Sequence, residues 1–101
     1  MLVYSVTITL PTPTHRIEFV AWLAEEHMAD VVAAGAMDAE ALLHDDPCVV
    51  QVLYHFASRD AFAQYERNEA PRLRAHVLTK FADAAQFAFA RSTCEVAHRV
   101  R

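Results

Sequence analysis

Glycine is nearly missing from this chain: Gly35 is the only one in 101 residues. That excludes the glycine-rich loops that cradle nucleotide phosphates. Basic charge is scarce as well. Lys80 is the only lysine among nine basic residues, thirteen residues are acidic, and the formal net charge is -4. Nucleic acid needs a basic footprint, so it is not an expected partner. Arg67, Arg72, Arg74 and Lys80 form a local exception, offset by Glu66 and Glu69. They read as a solvated helix face or as an anion-attracting rim. Cys48 and Cys94 lie far apart without metal-ligand spacing, and both read as free packing thiols in a reducing, cytoplasmic compartment. The histidines are His15, His27, His44, His55, His76 and His98. None falls in an HxH, HxxxH or HExxH pattern, so neither metal nor cofactor is expected. No serine occupies a nucleophile elbow. No apolar run is long enough for a membrane span, and the first residues carry no basic leader.

What is present is apolar bulk: 54% of the residues are hydrophobic. The length supports one domain, expected over residues 1–97 with a tail at 98–101. Leu2, Tyr4, Val6, Ile8 and Leu10 alternate with Val3, Ser5, Thr7 and Thr9, which is the period of a strand. Pro11 and Pro13 end it, and Thr14 is the expected cap of a helix over 15–34. Its inward stripe reads Ile17, Val20, Ala24, Met28 and Val31. Gly35 stands where a helix takes a left-handed final residue. An acidic, edge-like strand over 36–45 and a turn at Asp45-Asp46-Pro47 follow. Residues 48–57 are the strongest strand, with apolar bulk on both faces. Ser58 opens a second helix with Phe62 and Tyr65 inward. Pro71 must kink or restart it, after which Leu73, Val77 and Phe81 continue the stripe. A last strand over 86–96 sets Phe87 and Phe89 against Ala88 and Ala90.

The order β-α-β-β-α-β is that of the α+β, ferredoxin-like fold, a four-stranded antiparallel sheet with two helices on one face. Two helices leave the other face uncovered, and Val3, Ser5, Thr7, Ala88, Ala90 and Cys94 are candidates for it. The simplest cover is a second copy packed sheet to sheet, so a homodimer is expected.

Some residues carry chemistry. On a regular helix His27 falls among Val20, Ala24 and Val31, whereas Trp22 falls on the opposite side as a dimer or rim contact. His27 reads as a core histidine bonded to a neighbour or as a pocket acid, base or ligand-orienting group. Glu26 points about 100° away from it. Tyr65 lies on the inner stripe, with Arg74 and His76 bordering it. Arg74 either ties down the Pro71 kink, pairs with an acid of the first helix, or grips an anionic group. Arg91 shares a face with Phe87 and Phe89 and needs a partner, for which Glu26 or a carboxylate of a second copy would serve. His27, Tyr65, Arg74, His76 and Arg91 are therefore the candidate ligand-binding residues, with His27 and His76 the catalytic candidates.

Taken together, Tyr4, Trp22-Leu23-x-x-Glu26-His27, Gly35, Tyr65, Ala70-Pro71-x-Leu73-Arg74, Phe81 and Arg91 resemble an uncharacterised bacterial domain-of-unknown-function family. That family is placed in the dimeric α+β barrel superfamily. The resemblance covers nearly the whole chain and implies a fold and a dimer, not a reaction. Superfamily members include cofactor-independent monooxygenases, haem-degrading enzymes, small isomerases and ligand-sensing domains, which use a cavity between sheet and helices. The haem-degrading group places a histidine on the second helix, as His76 is here, and an asparagine on the first strand. This chain has Ser5 and Thr7 on that strand, and its only asparagine is Asn68, which argues against haem. The leading expectation is a homodimer binding a small organic molecule in a semi-polar cavity. The alternatives are a monooxygenase- or isomerase-like enzyme with a histidine base, and an interaction module without a ligand.

Overall fold

The computed structural model describes all 101 residues, Met1–Arg101. Strand β1 (Leu2–Thr9) leads through a short turn into helix α1 (Pro13–Trp22). The cap is Thr12 rather than Thr14: its side chain accepts from the His15 N–H, and Pro13 occupies the first turn, where its missing N–H costs nothing. A π-helical turn (Leu23–His27) joins α1 to α2 (Met28–Ala33). Gly35 follows with φ of +141°, a backbone that only glycine adopts cheaply. Strands β2 (Asp38–Leu43) and β3 (Val49–Phe56) come next, then α3 (Arg59–Asn68) and α4 (Ala70–Lys80). The expected interruption falls at Glu69, and Pro71 sits in the first turn of α4. A short 3-10 turn (Ala84–Gln86) precedes β4 (Ala88–Glu95), so the last strand starts later than its apolar run suggests.

The sheet order is β2-β3-β1-β4, all antiparallel, with β2 at one edge and β4 at the other. With both helical stretches packed on one face, this is the α+β, ferredoxin-like fold. Alternation sorts β1 and β3 cleanly. Leu2, Tyr4, Val6 and Ile8 pack under the helices beside Val50, Val52, Tyr54 and Phe56, and all eight are buried. The other face of β3 carries Val49, Gln51, Leu53 and His55, all half-buried. Within the chain only one face of β3 is enclosed, which leaves the other for the expected second copy. Val3, Ser5, Thr7, Ala88, Ala90 and Cys94 share the uncovered face by register. Cys94 is exposed there instead of packed, and Cys48 is half-buried.

The π turn overturns the expected first-helix stripe. The Met28 N–H bonds to the Leu23 carbonyl, five residues back. This inserts one residue into the helical repeat. Ile17 is 70% exposed and Ala24 is exposed, while Phe19, Trp22 and Leu23 are buried. Discounting the one inserted residue, Phe19, Trp22, Leu23, His27, Met28 and Val31 follow the spacing of an ordinary amphipathic helix. Ala24, Glu25 and Glu26 bulge outward as exposed residues. Trp22 is therefore not an outer rim contact. It is 4% exposed and packs edge-on against Phe19 and Phe81.

Candidate functional site

The helices and the inner sheet face do not close completely. Between them lies a narrow cavity of about 40 Å³, walled mainly by apolar side chains such as Val6, Leu23, Val52 and Val77. His27, Tyr54 and Tyr65 also line it. At its mouth stand Tyr4, Arg74 and Arg91, which also line a wider outer recess of about 260 Å³ with Phe62, Glu66, Ser92 and Thr93. The two spaces adjoin through those three shared residues. Ligand pockets usually run from about 300 Å³, so the inner chamber alone admits only a slim group.

His27 reaches this chamber through the π turn. On a regular helix, residues five apart diverge by about 140°. The inserted residue removes about 100° of that, and the rings of Trp22 and His27 stack at 4.6 Å with an interplanar angle of 21°. The indole Nε1–H donates to Glu26 Oε2 at 2.9 Å. Glu26 is thus occupied by Trp22 and is not the partner of Arg91. The His27 Nδ1 is the one buried side-chain nitrogen or oxygen without a hydrogen-bond partner. Burial pushes the imidazole pKa from 6.5 down to about 4, with Asp30 opposing the shift and His76 adding to it. At neutral pH the ring is uncharged.

Tyr65 projects from α3, Tyr4 from β1 and Tyr54 from β3, and their rings form one cluster. Burial raises the Tyr65 hydroxyl to about 12, helped by Tyr4, while Arg74 and Arg91 pull the other way. Burial also raises Tyr54, reinforced by Tyr65 and Tyr4. Both hydroxyls remain protonated at neutral pH and can donate a hydrogen bond.

Arg74 sits on α4 and reaches back across the helix break. Its Nη2 donates to the Tyr4 hydroxyl at 3.1 Å and to Glu66 Oε1 on α3. Its carboxylate partner therefore belongs to the second helical stretch and not to the first. Arg91 lies over the Phe89 ring at 5.0 Å and is exposed. The nearby strand acid Glu95 is taken by Arg59 at 3.0 Å.

Of the five expected binding residues, His27, Tyr65, Arg74 and Arg91 converge on the site. His76 does not. It is exposed on α4 and lines neither space, because Val77 takes the inward direction beside it. Trp22, Tyr4 and Tyr54 belong to the site and were not expected there. The inward alternation of β1 already marked Tyr4. The facing of Tyr54 became decidable only with the register of β3 against β1. There is no cluster of three or more metal-ligating side chains.

No curated protein matches the chain. Among solved structures, a dimeric ferredoxin-like protein from an uncultured marine organism aligns with a TM-score of 0.72 at 11% identity, covering 99% of this chain and 97% of that one. A second dimeric ferredoxin-like protein from an uncultured marine organism aligns at 0.62 and 15% identity, covering 98% and 97%. Rv0793 from Mycobacterium tuberculosis aligns at 0.66 and 15% identity over the full length of both chains. At these identities the similarity is one of fold. A family model described as a domain of unknown function, DUF4286, matches residues 1–96, and the chain belongs to that family.

Proposed function

We propose that the chain is a homodimeric binding domain for a small organic molecule, held in the recess between its helices and sheet. The observation that carries this reading is the convergence of His27, Tyr54, Tyr65, Arg74 and Arg91 on one otherwise apolar space, with His27 Nδ1 buried beside it and without a partner. Leaving a buried polar atom without a partner costs about 1–3 kcal/mol. A purely structural core would lose nothing by replacing such groups with apolar ones. An occupant that bonds to them removes the penalty.

The dimer is supported by the uncovered sheet face. Val3, Val49 and Leu53 lie on it among Ser5, Thr7 and Gln51, and no element of the chain packs over them. Two fold neighbours are themselves described as dimeric. No helix is long and apolar enough to cross a membrane. The two free thiols fit a reducing, cytoplasmic setting.

Acid–base catalysis is the weaker reading. An efficient general base titrates near working pH, and His27 is held near 4. His76 stands outside the recess. The small inner volume favours the third reading, a module without a ligand.

Native mass spectrometry of the protein purified without additives separates these readings. A dimer carrying a reproducible small extra mass is expected. A bare dimer favours the interaction module, and a monomer removes the sheet-to-sheet argument.

A further inference from the structure

The outer recess has an unbalanced charge. Its lining holds two guanidinium groups, Arg74 and Arg91, and one carboxylate, Glu66. Glu66 is committed to Arg74. Arg91 has no ion-pair partner in the chain, since Glu95 pairs with Arg59. One positive charge therefore remains at this mouth, in a protein whose formal net charge is -4.

The donors are also unspent. Arg74 uses Nη2 for its bonds to Tyr4 and Glu66. Its Nε and Nη1 hydrogens are left over, from a group with five donors. Arg91 rests over the Phe89 ring, a contact that uses its cationic face and not its N–H edge. A planar fork of this kind matches a carboxylate in bidentate fashion. The single surplus charge suits a monoanion, and a dianionic phosphate would leave one negative charge uncompensated. Behind the mouth the chamber narrows to about 40 Å³, and the uncharged Tyr54 and Tyr65 are among its lining residues.

Building on the binding reading above, we infer that the occupant is a small, slim organic monocarboxylate. Its carboxylate sits between Arg91 and Arg74, and a neutral oxygen at its far end accepts from the tyrosine hydroxyls. Oxo-carboxylic acids with an unbranched chain have this pattern: one charge outside, one uncharged acceptor inside.

Trp22 is the only tryptophan and lines the inner chamber, so its fluorescence reports entry directly. The probes are levulinate and 5-oxohexanoate, each beside its methyl ester, which keeps the chain and the ketone but loses the charge. The wild-type protein is expected to bind the acids about tenfold or more tightly than the esters, with the difference shrinking as salt rises. Arg91→Gln is expected to abolish the preference while leaving the melting temperature unchanged, because Arg91 is exposed. Equal binding of acid and ester overturns the anionic occupant and leaves the recess reading standing. A preference that survives Arg91→Gln overturns the placement of the carboxylate. Binding of neither acid nor ester overturns the inference, and the mass spectrum then decides whether the recess reading falls with it.

Discussion

The indole of Trp22 and the imidazole of His27 stack at 4.6 Å although they are five residues apart in one helical stretch. Only the extra residue of the π turn permits this. That turn takes an aromatic ring that a regular helix would face outward and makes it a wall of the central cavity. Single π turns are rare and concentrate at functional sites. Here the turn delivers an ionisable ring to the cavity between the helices and the sheet.

An inserted residue can be removed. Deleting the exposed Glu25 is expected to convert the π turn to ordinary α-helix and leave Trp22, His27 and Val31 on one face. The unfolding free energy should change by no more than about 1 kcal/mol, and Trp22 emission should stay that of a buried indole. Deleting Ala29, within the regular turns of α2, rotates Val31 off the core by about 100° and should cost several times more. Denaturant titrations of both variants check this, and loss of folding in the Glu25 deletion would sink the account of the turn.

Acid sensitivity follows from His27. Its pKa is about 4 in the folded chain and about 6.5 when exposed in the unfolded one. Between those values the unfolded state binds the extra proton, so stability rises with pH across this window. The contribution is complete above the unfolded pKa and lost as pH falls to about 4. The stability lost over this window on acidification amounts to about 2–3 kcal/mol, allowing for the partial exposure of the ring. The nearby charge of Asp30 opposes the His27 shift and His76 adds to it. Urea titrations between pH 4 and 7 should show this dependence in the wild type and a flatter one in His27→Phe. Parallel curves would contradict it.

The uncovered sheet face makes its own prediction. Val3 lies on the central strand β1, half-buried between His55 and Cys94. A charge introduced there would be buried and unpaired in a sheet-to-sheet dimer, which costs several kcal/mol. Val3→Lys is expected to sediment as a folded monomer in analytical ultracentrifugation while the wild type sediments as a dimer. Equal sedimentation of the two would place the interface elsewhere or remove it.

Much of this architecture is legible in the residues because strands and breaks write themselves locally. The alternation of Leu2 to Ile8, the break forced by Pro71, the glycine at position 35 and the opposition of Phe89 to Ala88 each rest on one local rule. Four of the five expected binding residues also converge: Tyr65, Arg74 and Arg91 from regular elements, and His27 through the π turn. What stayed hidden depends on phase. A uniform 100° per residue shifts the phase of the residues before the π turn, turning Trp22 outward and Ile17 inward, although Val20 still packs against the core. Nothing in Ala24-Glu25-Glu26 announces the extra residue, because exposed positions accept any of these side chains. His76 illustrates another limit. It borders the stripe by spacing, but the neighbouring Val77 takes the buried position. The face of Tyr54 required a partner strand, and no local pattern supplies one.

The central claim is that the polar groups of the recess serve an occupant and not the fold. His27→Phe tests it most directly, because it keeps a flat ring against Trp22 and deletes the unpartnered Nδ1. Measured by denaturant unfolding at pH 7 without ligand, the variant is predicted to be more stable than the wild type by about 1–3 kcal/mol. A variant less stable by a similar amount would show that His27 holds the core together, and would contradict the account.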